Sequence, residues 1–594
     1  MPINSKITCT KIMIRYLLIA LMFITSVGHA QFEGQKTYCN PMDINYRYNF
    51  EQLNDSISYR SGADPVIVNH KGEYFLFVTI SGGYWHSKDL INWRFITPSR
   101  WPFEDMCAPA ALSYKDTLLL FQSTFDKRPI LYSTTPETGK LEFYNRWMPQ
   151  LPPLIGPWDP ALFYDEELDK WYMYWGSSNT YPLFGAELDK RKRLAYKGAY
   201  KELLRLHPEI HGWERFGPDH TSEIVPFTEG AWMTKHNGKY YFQYGAPGTE
   251  YNVYANGTYV GDHPLGPFTY APYNPVSYKP GGFVTGAGHG NTFQDNYGNY
   301  WNTGTPWVAV NWNFERRIAM FPAGFDKDDQ MFSNTRFGDF PHYLPTKKWE
   351  NKDELFTGWM LLSYKKPALA SSQKDTFDVA RITDENPRTY WVAKENKPGE
   401  WVVVDLKKEQ QVNAVQINYT DYKSNIYDPF DPKIYTQFRL YYSSDAKNWI
   451  KFADLSDEKK DRPNAYIELK EGVKARYIKY EHIYVASPNL AVSDIRVFGD
   501  GLGKRPKTPA KFTARRDTDP RNAFISWEKV NGAVGYNILW GIDKDKLYQT
   551  YQIFADKPSV KEIRGLTKDV SYYFAIEAFN ESGVSERSEA VFVK

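Results

Sequence analysis

Asp64-Pro65-Val66-Ile67-Val68-Asn69-His70-Lys71-Gly72-Glu73-Tyr74-Phe75-Leu76-Phe77 recurs in altered form four more times along the chain, and that recurrence decides the fold. The later copies begin at Ala108 (APAALSYKDTLLLF), Asp159 (DPALFYDEELDKWYMYW), Glu229 (EGAWMTKHNGKYYFQY) and His289 (HGNTFQDNYGNYWNTG), with successive starts 44, 51, 70 and 60 residues apart. Each copy is a short apolar strand, a polar turn rich in Gly, Asn, Asp or Lys, and a second strand of aromatic or branched residues, which is the pattern of a hairpin. A repeat of roughly 40–50 residues built on such hairpins is how a β-propeller blade looks in sequence. Five copies predict five blades.

In a propeller the innermost strands line a central channel, so the first residues of the copies converge on the axis. Here they are Asp64, Ala108, Asp159, Glu229 and His289. Carboxylates around one axis repel each other and resist loss of water. An Asp ahead of a Pro also caps turns; that explains any one of these acids, but not all of them in one register.

At 594 residues the chain exceeds a single core, so several domains are expected. The aromatic share of 17% is high; such residues suit strands and also stack on sugar rings. The net charge is +2 with Lys and Arg spread along the chain, which excludes a nucleic-acid footprint. Residues 1–30 read as a signal peptide: Lys6, Lys11 and Arg15, an apolar run from Tyr16 to Val27, then Gly28-His29-Ala30 as a cleavage site. The apolar run is too short to span a bilayer comfortably. The expectation is a secreted or periplasmic protein, free of the membrane after cleavage and monomeric. Cys39 and Cys107 survive cleavage; they could pair, and their spacing is not that of a metal site.

Taken in order, residues 31–350 are assigned to the propeller, opening with an aromatic lead-in (Tyr38–Tyr48) that lies across it and closes it. The stretch Asp189–His220, with Lys190-Arg191-Lys192-Arg193 and a weakly helical Tyr200–Leu206, reads as an insertion before blade four. Residues 363–500 alternate strands and polar turns, with Asp384–Trp391, Trp401–Leu406 and Phe438–Ser444 as landmarks, and predict a β-sandwich. A Gly/Pro/Lys linker over 500–508 leads to a second small sandwich over 507–594, in which Tyr572 opens a late strand. The fold class is therefore all-β, a five-bladed propeller followed by two β-sandwich domains.

Ala63-Asp64-Pro65, Trp158-Asp159-Pro160-Ala161, Glu229-Gly230-Ala231 and Gly286-Ala287-Gly288-His289-Gly290 together resemble the catalytic propeller of glycoside hydrolase family 43, over roughly residues 40–345. The resemblance implies that Asp64 is the general base, Asp159 the acid that orients and tunes the proton donor, and Glu229 the general acid, with His289 as the axial His associated with a cation or its waters. It also implies an arginine from blade five, Arg316 or Arg317, with Arg317 as the working assignment. Trp158 and Trp85 are candidates to wall the sugar subsite, against the alternative that they pack between blades. Glu223 is a second candidate acid; Glu229 is preferred because it holds the repeat register. Inverting hydrolysis fits this set: one carboxylate activates water and one protonated carboxyl serves the leaving oxygen, and a third acid is expected to hold the proton on Glu229. No cofactor is required beyond, at most, a structural Ca2+ near the axis. The middle domain resembles a discoidin (coagulation factor 5/8 C-terminal) module, as glycan binder or spacer, and the last resembles fibronectin type III, as a spacer. The implied activity is cleavage of plant-type polysaccharides or oligosaccharides, as an α-L-arabinofuranosidase or β-D-xylosidase; the alternatives are a galactofuranosidase or galactanase, or a propeller that only binds sugar.

Overall fold

The computed structural model describes residues 36–49, 57–99, 107–121, 123, 129–146, 158–351 and 353–594; the signal peptide expected over residues 1–30 lies outside them. Five sheets, each running outward from the axis, follow one another in chain order. Blade one is Val66–His70, Glu73–Phe77, Tyr84–Ser87 and Arg94–Ile96. Blade two is Ala110–Tyr114, Thr117–Phe121, Ile130–Ser133 and Glu142–Asn145. Blade three is Ala161–Asp165, Lys170–Trp175, Leu183–Asp189 and Ala195–Leu204. Blade four is Glu229–His236, Lys239–Ala246, Ala255–Gly261 and Phe268–Tyr270. Blade five is Thr292–Gln294, Tyr300–Gly304, Ala319–Phe325 and Met331–Ser333.

The hairpins follow from local chemistry. Lys71-Gly72 and Asn237-Gly238 both hold positive φ, the twist that a two-residue turn needs between right-twisted strands. The ring closes where blade five meets blade one: Ile67 N–H donates to Asn291 Oδ1 at 2.9 Å, and Asn291 Nδ2 donates back to Ile67 O at 2.8 Å. The lead-in lies across blade five, with Asn40 bonded to both the amide and the carbonyl of Met320.

One element differs from the sequence expectation. Tyr200–Leu206 is not helical; most of it belongs to Ala195–Leu204, the outer strand of blade three, paired with Leu183–Asp189. Its Lys- and Glu-rich face is exposed, as befits an edge strand guarded by charge. Cys39 is buried and Cys107 exposed, and no disulfide joins them.

The middle domain is one sheet that folds over on itself. Trp401–Tyr419 and Asn464–Val485 run antiparallel through both of its layers, and bulges near Asp405 and Val412 bend them. They enclose a core of Trp391, Val404, Ile417, Phe438 and Val497. In the last domain Thr513–Arg516, Ala523–Ser526 and Val560–Ile563 face a sheet ordered Gln549–Phe554, Gly535–Gly541, Tyr572–Asn580. The Tyr572 hydroxyl accepts from Thr567 N–H at 3.1 Å, tying the late strand to the corner before it.

Neither sandwich behaves as a loosely tethered spacer. Arg60 of the propeller is buried between Asp421 and Asp461 of the middle domain, at 2.9 and 3.1 Å. Arg496 returns the gesture from the middle domain, paired with Glu385 at 2.9 Å and donating to Asp339 O of the propeller at 2.6 Å. The last domain shares a hydrophobic core with blade four, where Tyr278 meets Trp540 edge-on. Even the linker is held: Gly501 N–H donates to Glu581 O and Leu502 N–H to Gln410 Oε1.

Candidate active site

Asp64, Asp159 and His289 each sit two or three residues ahead of an innermost strand, and each adopts positive φ, as does Ala108 of blade two. This left-handed turn is uncommon outside Gly and costs of order 1 kcal/mol or more per residue. It aims the side chain along the axis, toward the channel. In blade four the positive φ belongs to Gly230, so Glu229 stands one residue ahead of the repeat register and reaches the channel from a bulge between Glu229 and Trp232. The cause is steric: a Cβ on Gly230 would come within 2.9 Å of the His289 ring.

The three acids converge on one nitrogen. His289 Nδ1 lies 3.2 Å from Asp64 Oδ1 and 3.9 Å from both Asp159 Oδ2 and Glu229 Oε1. Arg316, not Arg317, completes the group, with its guanidinium 3.5 Å from Asp64 Oδ1. Arg317 is only 3% exposed; it donates to Arg60 O and lies over Tyr46, away from the channel. Adjacent residues on an extended chain point to opposite sides, so only one of the two could face the acids. Trp85 is likewise corrected: at 1% exposure it packs on Phe95 within the blade and donates to Asn45 Oδ1. Trp158, half-buried, remains beside Asp159. Glu223 is exposed and faces Arg521 at 3.8 Å, outside the group.

A set of hydroxyls supports the acids, and it repeats from blade to blade. Thr79, at the end of blade one's second strand, donates to Asp64 Oδ2 at 2.5 Å and accepts from Ala108 N–H of the next blade. Ser123, at the same place in blade two, donates to Asp159 Oδ1 at 3.0 Å and accepts from Asp159 N–H at 2.7 Å. Thr305 of blade five accepts from Asp64 N–H at 3.0 Å and closes the circle. Ser177 and Tyr254 donate to the two oxygens of Glu229. These residues were not singled out from sequence, although a Thr or Ser just past the second strand recurs as FVTI, FQST, WGSS and TGTP.

Charge follows from this packing. Burial, then the neighbouring charges of Glu229 and Asp64, push the Asp159 carboxyl up to about 7, against the pull of His289. The His289 imidazolium and the Tyr254 hydroxyl outweigh burial at Glu229 and hold its carboxyl down at about 2. The three carboxylates raise His289 to about 10 despite its burial. Burial and like charge thus favour the proton at Asp159 over Glu229. Asp159, Glu229 and His289 each offer a ligand atom within 4.8 Å of the others, a group that could hold a metal ion.

Residues 55–329 match Glycosyl hydrolases family 43, and residues 367–489 match the F5/8 type C domain. The chain carries a family 43 glycosyl hydrolase domain, and an F5/8 type C domain follows it. Over 58 residues it is 54% identical to a beta-xylosidase of Xylanibacter ruminicola, covering 9% of this chain and 17% of that protein. Over 201 residues it is 31% identical to xylosidase/arabinosidase 43A of Humicola insolens, covering 29% of this chain and 58% of the relative. The chain thus spans less than two thirds of the length of either relative. The crystal structure of the GH43 BlXynB protein from Bacillus licheniformis superposes with a TM-score of 0.40 at 17% identity, covering 77% of this chain and all of that one.

Proposed function

We propose that the protein is an exported, inverting glycoside hydrolase acting on plant-type polysaccharides or oligosaccharides, with β-D-xylosidase or α-L-arabinofuranosidase activity. The observation that carries the proposal is the convergence of Asp64, Asp159 and Glu229 on His289 at the leading ends of four of the five inner strands. Asp64, steadied by Thr79 and Arg316, is the base that activates water. Asp159 stores the proton, and Glu229, with the more exposed side chain of the two (14% against 9%), delivers it to the leaving oxygen. The same imidazolium stabilises each carboxyl as the anion, so the two acids titrate as one coupled set.

The sequence likeness to xylosidases and arabinosidases supports the choice of sugar, and the Tyr572 tie and strand order support a fibronectin type III-like last domain. The test is hydrolysis of 4-nitrophenyl β-D-xyloside and α-L-arabinofuranoside beside xylo- and arabino-oligosaccharides. Asp64→Asn is expected to abolish turnover of all of them. Glu229→Gln is expected to spare the nitrophenyl glycosides, whose leaving group needs no proton, far more than the oligosaccharides. Equal losses on both substrate types would remove Glu229 from the acid role, and proton NMR of the first-released anomer tests inversion.

A further inference from the structure

Trp307 stands two residues beyond Thr305, the hydroxyl that holds the Asp64 amide, and its backbone bridges to Arg316, the cation beside Asp64. Its indole N–H is tied to Asn313 O at 2.9 Å, and its ring lies 6.3 Å from Tyr251. The other partner of this ring comes from a different domain: Arg388 of the F5/8 type C domain lies over it, with Cζ 4.3 Å from the ring centroid.

Several contacts hold the loop that presents Arg388. Thr389 Oγ1 donates to Asp384 Oδ2 at 2.7 Å, Glu385 pairs with Arg496, and Pro387 lines a small cavity with Val308 and Val310 of the propeller. The arginines that bind this domain to the propeller, Arg60, Arg462 and Arg496, are all paired with carboxylates. Arg388 is partly exposed, with burial lowering its guanidinium pKa, and among the described residues no carboxylate pairs with it. Stacking fixes the guanidinium plane and leaves its N–H edge free, which is the arrangement that recognises a planar carboxylate through two parallel hydrogen bonds.

We infer that Arg388, seated on Trp307, is a docking point contributed by the F5/8 type C domain for the carboxylate of a uronic acid unit carried by the glycan outside the cleaved sugar. The domain thereby sets specificity at the rim of the propeller. The inference rests on the glycosidase proposal. Neutral sugar hydroxyls lack the charge to use this site fully, so the selectivity is for acidic decoration.

The test uses the full chain as wild type, Arg388→Ala and Arg388→Glu. Each is assayed on a nitrophenyl glycoside and on two oligosaccharides of equal length, one neutral and one carrying a single uronic acid. The wild type is expected to favour the acidic oligosaccharide by about tenfold in kcat/KM, a charge-assisted pair's worth, mainly through KM, and the preference should shrink as salt rises. Arg388→Ala should bring the ratio to about one, and Arg388→Glu should invert it. A wild type that turns over the nitrophenyl glycoside without preferring the acidic oligosaccharide overturns this inference alone, as does a ratio unchanged in both variants. No turnover of any of the three substrates overturns the glycosidase proposal as well.

Discussion

At the scale of single residues, the distribution of protons inside the acid cluster governs both activity and stability. Asp159 is 8% exposed, and its carboxyl is pushed from the ordinary 3.8 up to about 7. A raised acid binds its proton more tightly folded than unfolded, so stability falls as pH rises from about 4 to about 7 and is level above that. Asp159→Asn lacks this slope. Its Tm should match the wild type near pH 4 and exceed it by pH 7, by a margin on the order of a few kcal/mol in stability; parallel Tm curves across that range would show that Asp159 does not hold the proton. The same group sets the alkaline limb of kcat/KM, expected near pH 7. His289 lowers Asp159 and Glu229 alike, so His289→Gln, though slow, should show that limb at higher pH. A limb that stays put would mean another group titrates there. The acids themselves were legible in the sequence because they break the preference for small or apolar residues at an axial position. Which of them carries the proton was not, since that depends on distances to His289 that no spacing along the chain encodes.

At the scale of elements, the turn ahead of each inner strand is the working part. Four blades place a side chain at the left-handed position, and blade four places Gly230 there, so that the His289 ring can lie against its backbone. Alignment of the repeats by composition put Glu229 in register because Asp and Glu look alike; the one-residue offset shows only in the bulge and in φ. Gly230→Ala should suffer both the φ penalty and displacement of the His289 ring, lowering kcat/KM by about tenfold or more. Gly238→Ala is the control: it too has positive φ, but nothing lies within 4 Å of its Cβ, so it should lose some stability and keep its kinetics. Equal kinetic losses in the two would reduce Gly230 to a backbone effect. The outer strand Ala195–Leu204 shows the reverse limit of sequence reading. Its run of Tyr, Lys, Glu and Leu has helical propensity, yet pairing to Leu183–Asp189 overrides it.

At the scale of the whole molecule, buried charge joins the domains. Arg60 is buried at the junction against Asp421 and Asp461, and removing these acids while the interface stays closed would cost about 3–5 kcal/mol by analogy with other buried pairs. The last domain likewise shares its core with blade four, and Arg336 pairs with its Glu577 at 2.6 Å. Calorimetry of the full chain should therefore give one unfolding transition, where independently folding domains would give several; resolved transitions would mean that these interfaces contribute little.

Periodicity by itself determined the five blades, the sandwiches that follow them and the acids at the axis, because hairpin turns and alternating strands are local and repeat. The choice of Arg316 over Arg317, the burial of Trp85, the hydroxyls beneath the acids and the seat of Arg388 on Trp307 were decided only by the tertiary structure. Each is a contact between distant parts of the chain, fixed by which side of a strand faces the channel and by which surfaces the domains bury together.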